Sequence, residues 1–263
     1  MRDLAHATRE IKFNWKRTRL FDHIVALALY ELTVDAGHAR VMSTEGRRTS
    51  KYKPKPLHTV ELQKRAAKFC RLGAEQTMEA AEKLYQQGII TYPRTETDLF
   101  KPEEDVRSYV EEFRGNSVFG AYATKLLDGG KYRPPRNGTH TDNAHSPITP
   151  RTSKDPKDIG DDAQRKVYEL IVKHFLAVCS EDALGQQTVI TVEMGTEVFS
   201  ARGLMVQEEN WLEIYKPYEY WSAGAGTLPN LQVSLIAVRC GWGGAQCDVG
   251  KNAYLRFVYQ RKQ

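Results

Sequence analysis

The chain has 263 residues, enough to bury one large core or two smaller ones. Hydrophobic residues make up 41% and charged residues 27%, a balance that excludes a disordered or fibrous chain. The formal charge of +5 is a mild cationic excess that suits a polyanionic partner.

The opening residues, Met1-Arg2-Asp3-Leu4-Ala5-His6, contain no apolar signal core. Ile11, Phe13 and Trp15 alternate with Lys12, Asn14 and Lys16, which predicts a strand with one apolar and one cationic face. Leu20 to Val34 reads as a helix that buries Leu20, Ile24, Leu27 and Leu32. Its most apolar part, Ile24 to Leu32, is too short to span a bilayer, so no membrane partner is expected. Arg47, Arg48, Lys51, Lys53 and Lys55, punctuated by Pro54 and Pro56, read as a solvated connector, with phosphate contact as the sharper possibility.

Thr59 to Leu72 is predicted as a helix opening on a Thr cap, and Ala74 to Gln87 as a second one. The latter repeats Met78, Ala81, Leu84 and Tyr85 along one side and stops at Gly88. Ile89-Ile90-Thr91-Tyr92 is a short extended run halted by Pro93, which pushes Tyr92 out of the helical region. Residues 101–160 mix short helical pieces with loops rich in Gly and Pro. Asp161 or Asp162 caps a strong helix through Val178, and Thr188 to Phe199 predicts a β-hairpin around Gly195-Thr196. The pattern is β, then mostly α, then β, as if a helical unit were inserted into a β-rich one. Cys70 and Cys179 read as buried thiols. Cys240 and Cys247 have neither C-x-x-C spacing nor a nearby partner pair, so a reducing compartment is expected.

Two segments carry chemistry: Gly88 to Thr97, and Asn137 to Pro150. A tyrosine hydroxyl can attack a phosphodiester and trap the cut end as a phosphotyrosine ester. With an ordinary pKa of about 10 it needs positive charge nearby. Arg94 shares the side of an extended chain with Tyr92, and its guanidinium fork suits phosphate. His145 can supply a second contact. Resealing such an ester needs no ATP, and the chain has no Walker-type glycine loop. Singly, each residue is more often structural: a strand-end Tyr packs, and Arg94 with Glu96 makes a surface ion pair.

Together, the run Ile90-Thr91-Tyr92-Pro93-Arg94-Thr95-Glu96-Thr97 resembles the active-site signature of type IA DNA topoisomerases. Ala144-His145-Ser146-Pro147-Ile148-Thr149-Pro150 resembles that family's A-H-x-x-I-x-P motif. Phe13-Asn14-Trp15-Lys16-Arg17, Thr59-Val60-Glu61-Leu62, Ala81-Glu82-Lys83-Leu84-Tyr85 and Val172-Lys173-His174-Phe175-Leu176 point to the alpha-like topoisomerase III branch. Ser146 and Thr149 depart from this branch, which usually has proline and often histidine there. Both are expected to alter loop geometry more than chemistry.

The resemblance implies a multidomain α+β fold, a β-rich gate arch with an inserted helical domain carrying the active-site tyrosine. Residues 1–57 and 178–235 would form the arch, 58–177 the tyrosine domain, and 236–263 an unassigned tail. It implies Tyr92 as the nucleophile, making a 5′-phosphotyrosyl bond to single-stranded DNA, with Arg94 and His145 on the phosphate. Asp142, Arg133 and Arg136 are further candidates for the DNA-binding surface. It implies Mg²⁺ held by a Toprim domain, and the chain, having no D-x-D pair, is expected to lack that domain and to hold no metal itself. A RecQ-type helicase and an OB-fold accessory protein are the implied partners, in the nucleus or alternatively in mitochondria. A tyrosine recombinase or type IB enzyme would place its tyrosine after the arginines and histidine, whereas Tyr92 precedes His145. The remaining alternative is a catalytically incomplete fragment that binds DNA or partner proteins without cutting.

Overall fold

A computed structural model describes residues 9–222, 235–237 and 254–259. Residues 1–8, 223–234, 238–253 and 260–263, among them Cys240 and Cys247, lie outside the described residues. The chain divides into two units, each with its own apolar core. One takes residues 1–49, 185–207 and 222–263; the other takes 50–184 and 208–221.

The first unit is built on a six-stranded sheet. Its strands are β1 (Arg9–Trp15), β2 (His38–Lys51), β3 (Ala183–Met194), β4 (Glu197–Glu208), β5 (Leu235–Ala237) and β6 (Tyr254–Tyr259). Their order across the sheet is β5-β2-β3-β4-β1-β6. The predicted alternation in β1 is observed: Ile11, Phe13 and Trp15 are buried while Lys12 and Asn14 are exposed. The expected hairpin joins β3 to β4 at Gly195-Thr196. Gly195 has φ +61°, and a Cβ there would sit 2.9 Å from the Leu32 carbonyl oxygen, so the turn admits no side chain. The tail that the sequence left unassigned contributes two strands. β6 pairs antiparallel along β1 from Arg9↔Tyr259 to Asn14↔Tyr254, and β5 pairs with β2.

Helix α1 (His23–Asp35) is capped by Asp22, whose carboxylate accepts from the amides of Ile24 and Val25. Its buried face differs from expectation. Ile24 is 79% exposed, and Leu27 and Leu32 are also exposed; Leu29, Thr33 and Ala36 turn inward, with Leu20 partly buried beside them. The helix is apolar around most of its circumference, so its periodicity could not select a face. The basic stretch is likewise no connector: Arg47, Arg48 and Lys51 lie in β2, and Lys53 is buried.

The second unit is mainly helical: α2 (Thr59–Arg65), α3 (Ala74–Gln86), α4 (Val106–Glu111), α5 (Gly120–Asp128), α6 (Asp162–Val178) and α7 (Trp211–Tyr215). The predicted helix beyond Thr59 continues from α2 as a wider π-helical turn, Ala66–Cys70, and stops at Arg71 in the left-handed region. Asp161 caps α6, whose Leu170, Ile171 and Val172 are fully buried. Cys179 is buried as expected, whereas Cys70 is only partly so.

The imidazole of His174 is buried and fully satisfied. Nε2–H donates to the Lys55 carbonyl at 2.8 Å, and Nδ1 accepts from the Tyr215 hydroxyl at 3.0 Å. The Tyr215 oxygen in turn accepts from Arg65 at 2.6 Å. Burial, reinforced by the charge of Arg65, pulls the His174 pKa down to about 3.

The expected boundaries at 57/58 and 177/178 shift, because the helical unit reaches further in both directions. Lys53 and Leu57 are buried within it, and α7 returns to pack Trp211, Leu212 and Tyr215 against Ala177 and Ala183. Among the described residues no helix is long and apolar enough to cross a membrane.

Candidate active site around Tyr92

The backbone leading to Tyr92 is set by how α3 ends. Gly88, at φ +71°, lets its own amide reach the Tyr85 carbonyl (2.8 Å) and the Ile89 amide reach that of Leu84 (3.0 Å). This pairing satisfies carbonyls that a helix end leaves open, and it turns the chain sharply. Ile89 and Ile90 then plunge into the core. Here the chain meets the second motif: Ile90 bridges to Pro150, the Thr91 amide donates to the Thr149 carbonyl (2.9 Å), and the Arg151 amide to that of Ile89 (2.8 Å). The Thr91 hydroxyl donates to the Pro147 carbonyl and accepts from the Thr149 amide, both at 2.8 Å. Two segments distant in sequence are thereby fixed side by side.

Beyond Tyr92 the chain alternates. Pro93, Thr95 and Thr97 are buried, while Arg94 and Glu96 are exposed, so Tyr92 and Arg94 share the outward side as predicted. Thr59, expected as a helix cap, does other work. Its hydroxyl lies 2.7 Å from the Pro93 carbonyl and 2.9 Å from that of Thr95, and accepts from the Thr95 amide at 2.8 Å.

The Tyr92 ring lies against the His145 imidazole, centroids 4.6 Å apart and planes at 32°, with the edge of Tyr85 at 5.4 Å. His145 is oriented by Asp142, whose carboxylate accepts from Nδ1 at 3.1 Å and from the His145 amide at 2.8 Å. Asp142 also accepts from the amide of Ala144 and the hydroxyls of Thr95 and Thr97. These bonds, led by that from the His145 amide, hold the Asp142 carboxyl far below the usual carboxylate range. A carboxylate that stays ionised fixes Nδ1 as the donor and leaves Nε2 for another partner. Arg94, 58% exposed, forms an ion pair with Glu82 on α3.

The structure therefore gathers Tyr92, Arg94, His145 and Asp142, all in the helical unit. Arg133 and Arg136 are engaged elsewhere. Arg133 pairs with Glu181, while Arg136 donates to the Lys53 carbonyl and covers the Tyr52 ring. The Lys53 ammonium holds the carbonyls of Arg133 and Pro134, and burial lowers its pKa to about 8. Thr149 is fully buried and its hydroxyl donates to the Pro147 carbonyl, and Ser146 faces Glu104. Sequence reasoning missed the anchoring roles of Thr59, Thr95 and Thr97 and the contacts of Glu82 and Tyr85. The spacing of Glu82 and Tyr85 on one helix face was the available signal.

The site thus sets Tyr92 against an imidazole held by Asp142, with Arg94 two residues on and paired to Glu82. Residues 3–238 match the family model described as DNA topoisomerase, and the chain belongs to that family. It is 42% identical over 240 residues to DNA topoisomerase 3 of Saccharomyces cerevisiae, covering 85% of this chain and 36% of that protein. It is 44% identical over 217 residues to DNA topoisomerase 3-alpha of Homo sapiens, covering 82% and 21% respectively. Within the type IA topoisomerases this places it in the topoisomerase III branch. The fold resembles that of full-length topoisomerase I from Thermotoga maritima, with TM-score 0.62 at 18% identity, over 98% of this chain and 41% of that one. The chain thus spans roughly a third or less of the length of these curated relatives.

Proposed function

We propose that this chain carries the strand-breaking half of a type IA topoisomerase reaction on single-stranded DNA. The Tyr92 oxygen attacks a backbone phosphorus, the 3′ sugar oxygen leaves, and the 5′ end is held as a phosphotyrosine. A second strand passes, and attack by the sugar hydroxyl reverses the ester without ATP. Arg94 and His145 stabilise charge on the phosphoryl oxygens, and Asp142 orients His145. The observation that carries this reading is the close, tilted packing of Tyr92 on an imidazole that a carboxylate holds by Nδ1.

The Mg²⁺ that the resemblance implies finds no fitting site among the described residues, where no group of three or more His, Cys, Asp or Glu could hold a metal ion. In this reading a Toprim domain holds it. A RecQ-type helicase, an OB-fold accessory protein and a nuclear or mitochondrial setting complete the proposal by family likeness.

The test is to trap covalent complexes by denaturation after incubating labelled single-stranded DNA with the chain supplemented by a Toprim domain. A 5′-linked adduct with wild type and none with Tyr92→Phe is expected. The second reading is DNA or partner binding without cleavage. Equal DNA binding by wild type and Tyr92→Phe, with no adduct from either, would establish it instead.

A further inference from the structure

Helix α3 presents Glu82 and Tyr85, one turn apart, to the two reactive positions of the tyrosine motif: Glu82 to Arg94 and Tyr85 to Tyr92. The proposed reaction uses neither. Glu82 holds the arginine that the phosphate would need. A single carboxylate oxygen, Oε1, takes both Nε and a terminal nitrogen of the guanidinium, the edge that could instead serve two oxygens of a phosphate. Arg94 is 58% exposed and Glu82 37%, so the pair lies in screened solvent and is weak. A weak pair can exchange.

We propose that Glu82 is a positioning residue that acts as an exchangeable counter-ion: it holds Arg94 on the outward side that it shares with Tyr92 and yields it to the backbone phosphate of an incoming strand. The inference rests on the strand-breaking reading, since it takes that phosphate as the displacing group. Exchange has a signature that packing lacks. When phosphate takes Arg94, Glu82 is left bare and recruits a cation, offsetting part of the counter-ion release that drives binding. Removing the carboxylate charge therefore tightens binding and steepens its dependence on salt.

The experiment measures binding of a thymidine oligonucleotide to the full chain across a salt series, for wild type, Glu82→Gln, Arg94→Ala and the double variant. Glu82→Gln is expected to bind roughly twofold to fivefold tighter at low salt. Its log–log salt slope should steepen by up to about 0.7. In the Arg94→Ala background both effects should vanish, because the coupling runs through that guanidinium. An unchanged slope and affinity in Glu82→Gln, or the same gain with Arg94 absent, overturns the proposal. Failure of the strand-breaking reading shows separately, as absence of a Tyr92-dependent adduct.

Discussion

Asp142 sets the state of His145 through one carboxylate that serves backbone, hydroxyl and imidazole at once. Asp142→Asn keeps the shape but can offer an amide nitrogen where Nδ1–H needs an acceptor. Adduct formation is expected to fall about 10- to 100-fold, the scale of one lost charged hydrogen bond, with DNA affinity changed far less. Rates of trapped adduct across DNA concentrations would check it. His174 supports a prediction about stability. Its pKa is depressed to about 3 in the folded chain against about 6.5 when unfolded, so between these values the unfolded chain binds the extra proton. The stabilisation is thus complete above about pH 6.5 and is lost as pH falls toward 3, at about 1.4 kcal/mol per unit. Denaturant titrations at pH 7, 6 and 5 should show His174→Gln losing stability less steeply than wild type over that range.

At the scale of elements, the end of α3 governs the approach to Tyr92. Gly88→Ala forces a Cβ into the left-handed region and is expected to cost about 1–2 kcal/mol, read as a lower denaturation midpoint. Much of this element was legible beforehand: the helix, its glycine stop and the extended run into Pro93 follow from local rules. What remained hidden depends on partners far along the chain. Thr59 looked like a cap because a hydroxyl before a helix usually is one, yet its bonds go to residues 93 and 95. Glu82 and Arg94 are joined only because the chain reverses between them. The apolar surface of α1 pointed to no single face, and the cations of β2 masked a strand as a linker.

For the whole molecule, the alternation of β and α segments anticipated a helical insertion in a β-rich unit. The exact seam depended on where Lys53 and Trp211 find burial, which no window of sequence displays. The share of the relatives that is covered leads to a further expectation. Incubated with negatively supercoiled plasmid and Mg²⁺, these 263 residues should give no sustained relaxation, whereas a longer version bearing a Toprim domain should. Gel mobility of the plasmid topoisomers reads the outcome. The crossed threonine bonds between residues 91 and 149 have a mechanical corollary. Tyr92 and the His145 imidazole ride on one welded block, so in the proposed reaction a captured DNA end would travel with its histidine companion through any excursion. Rejoining would then begin from a half-assembled centre, with no search for the missing member.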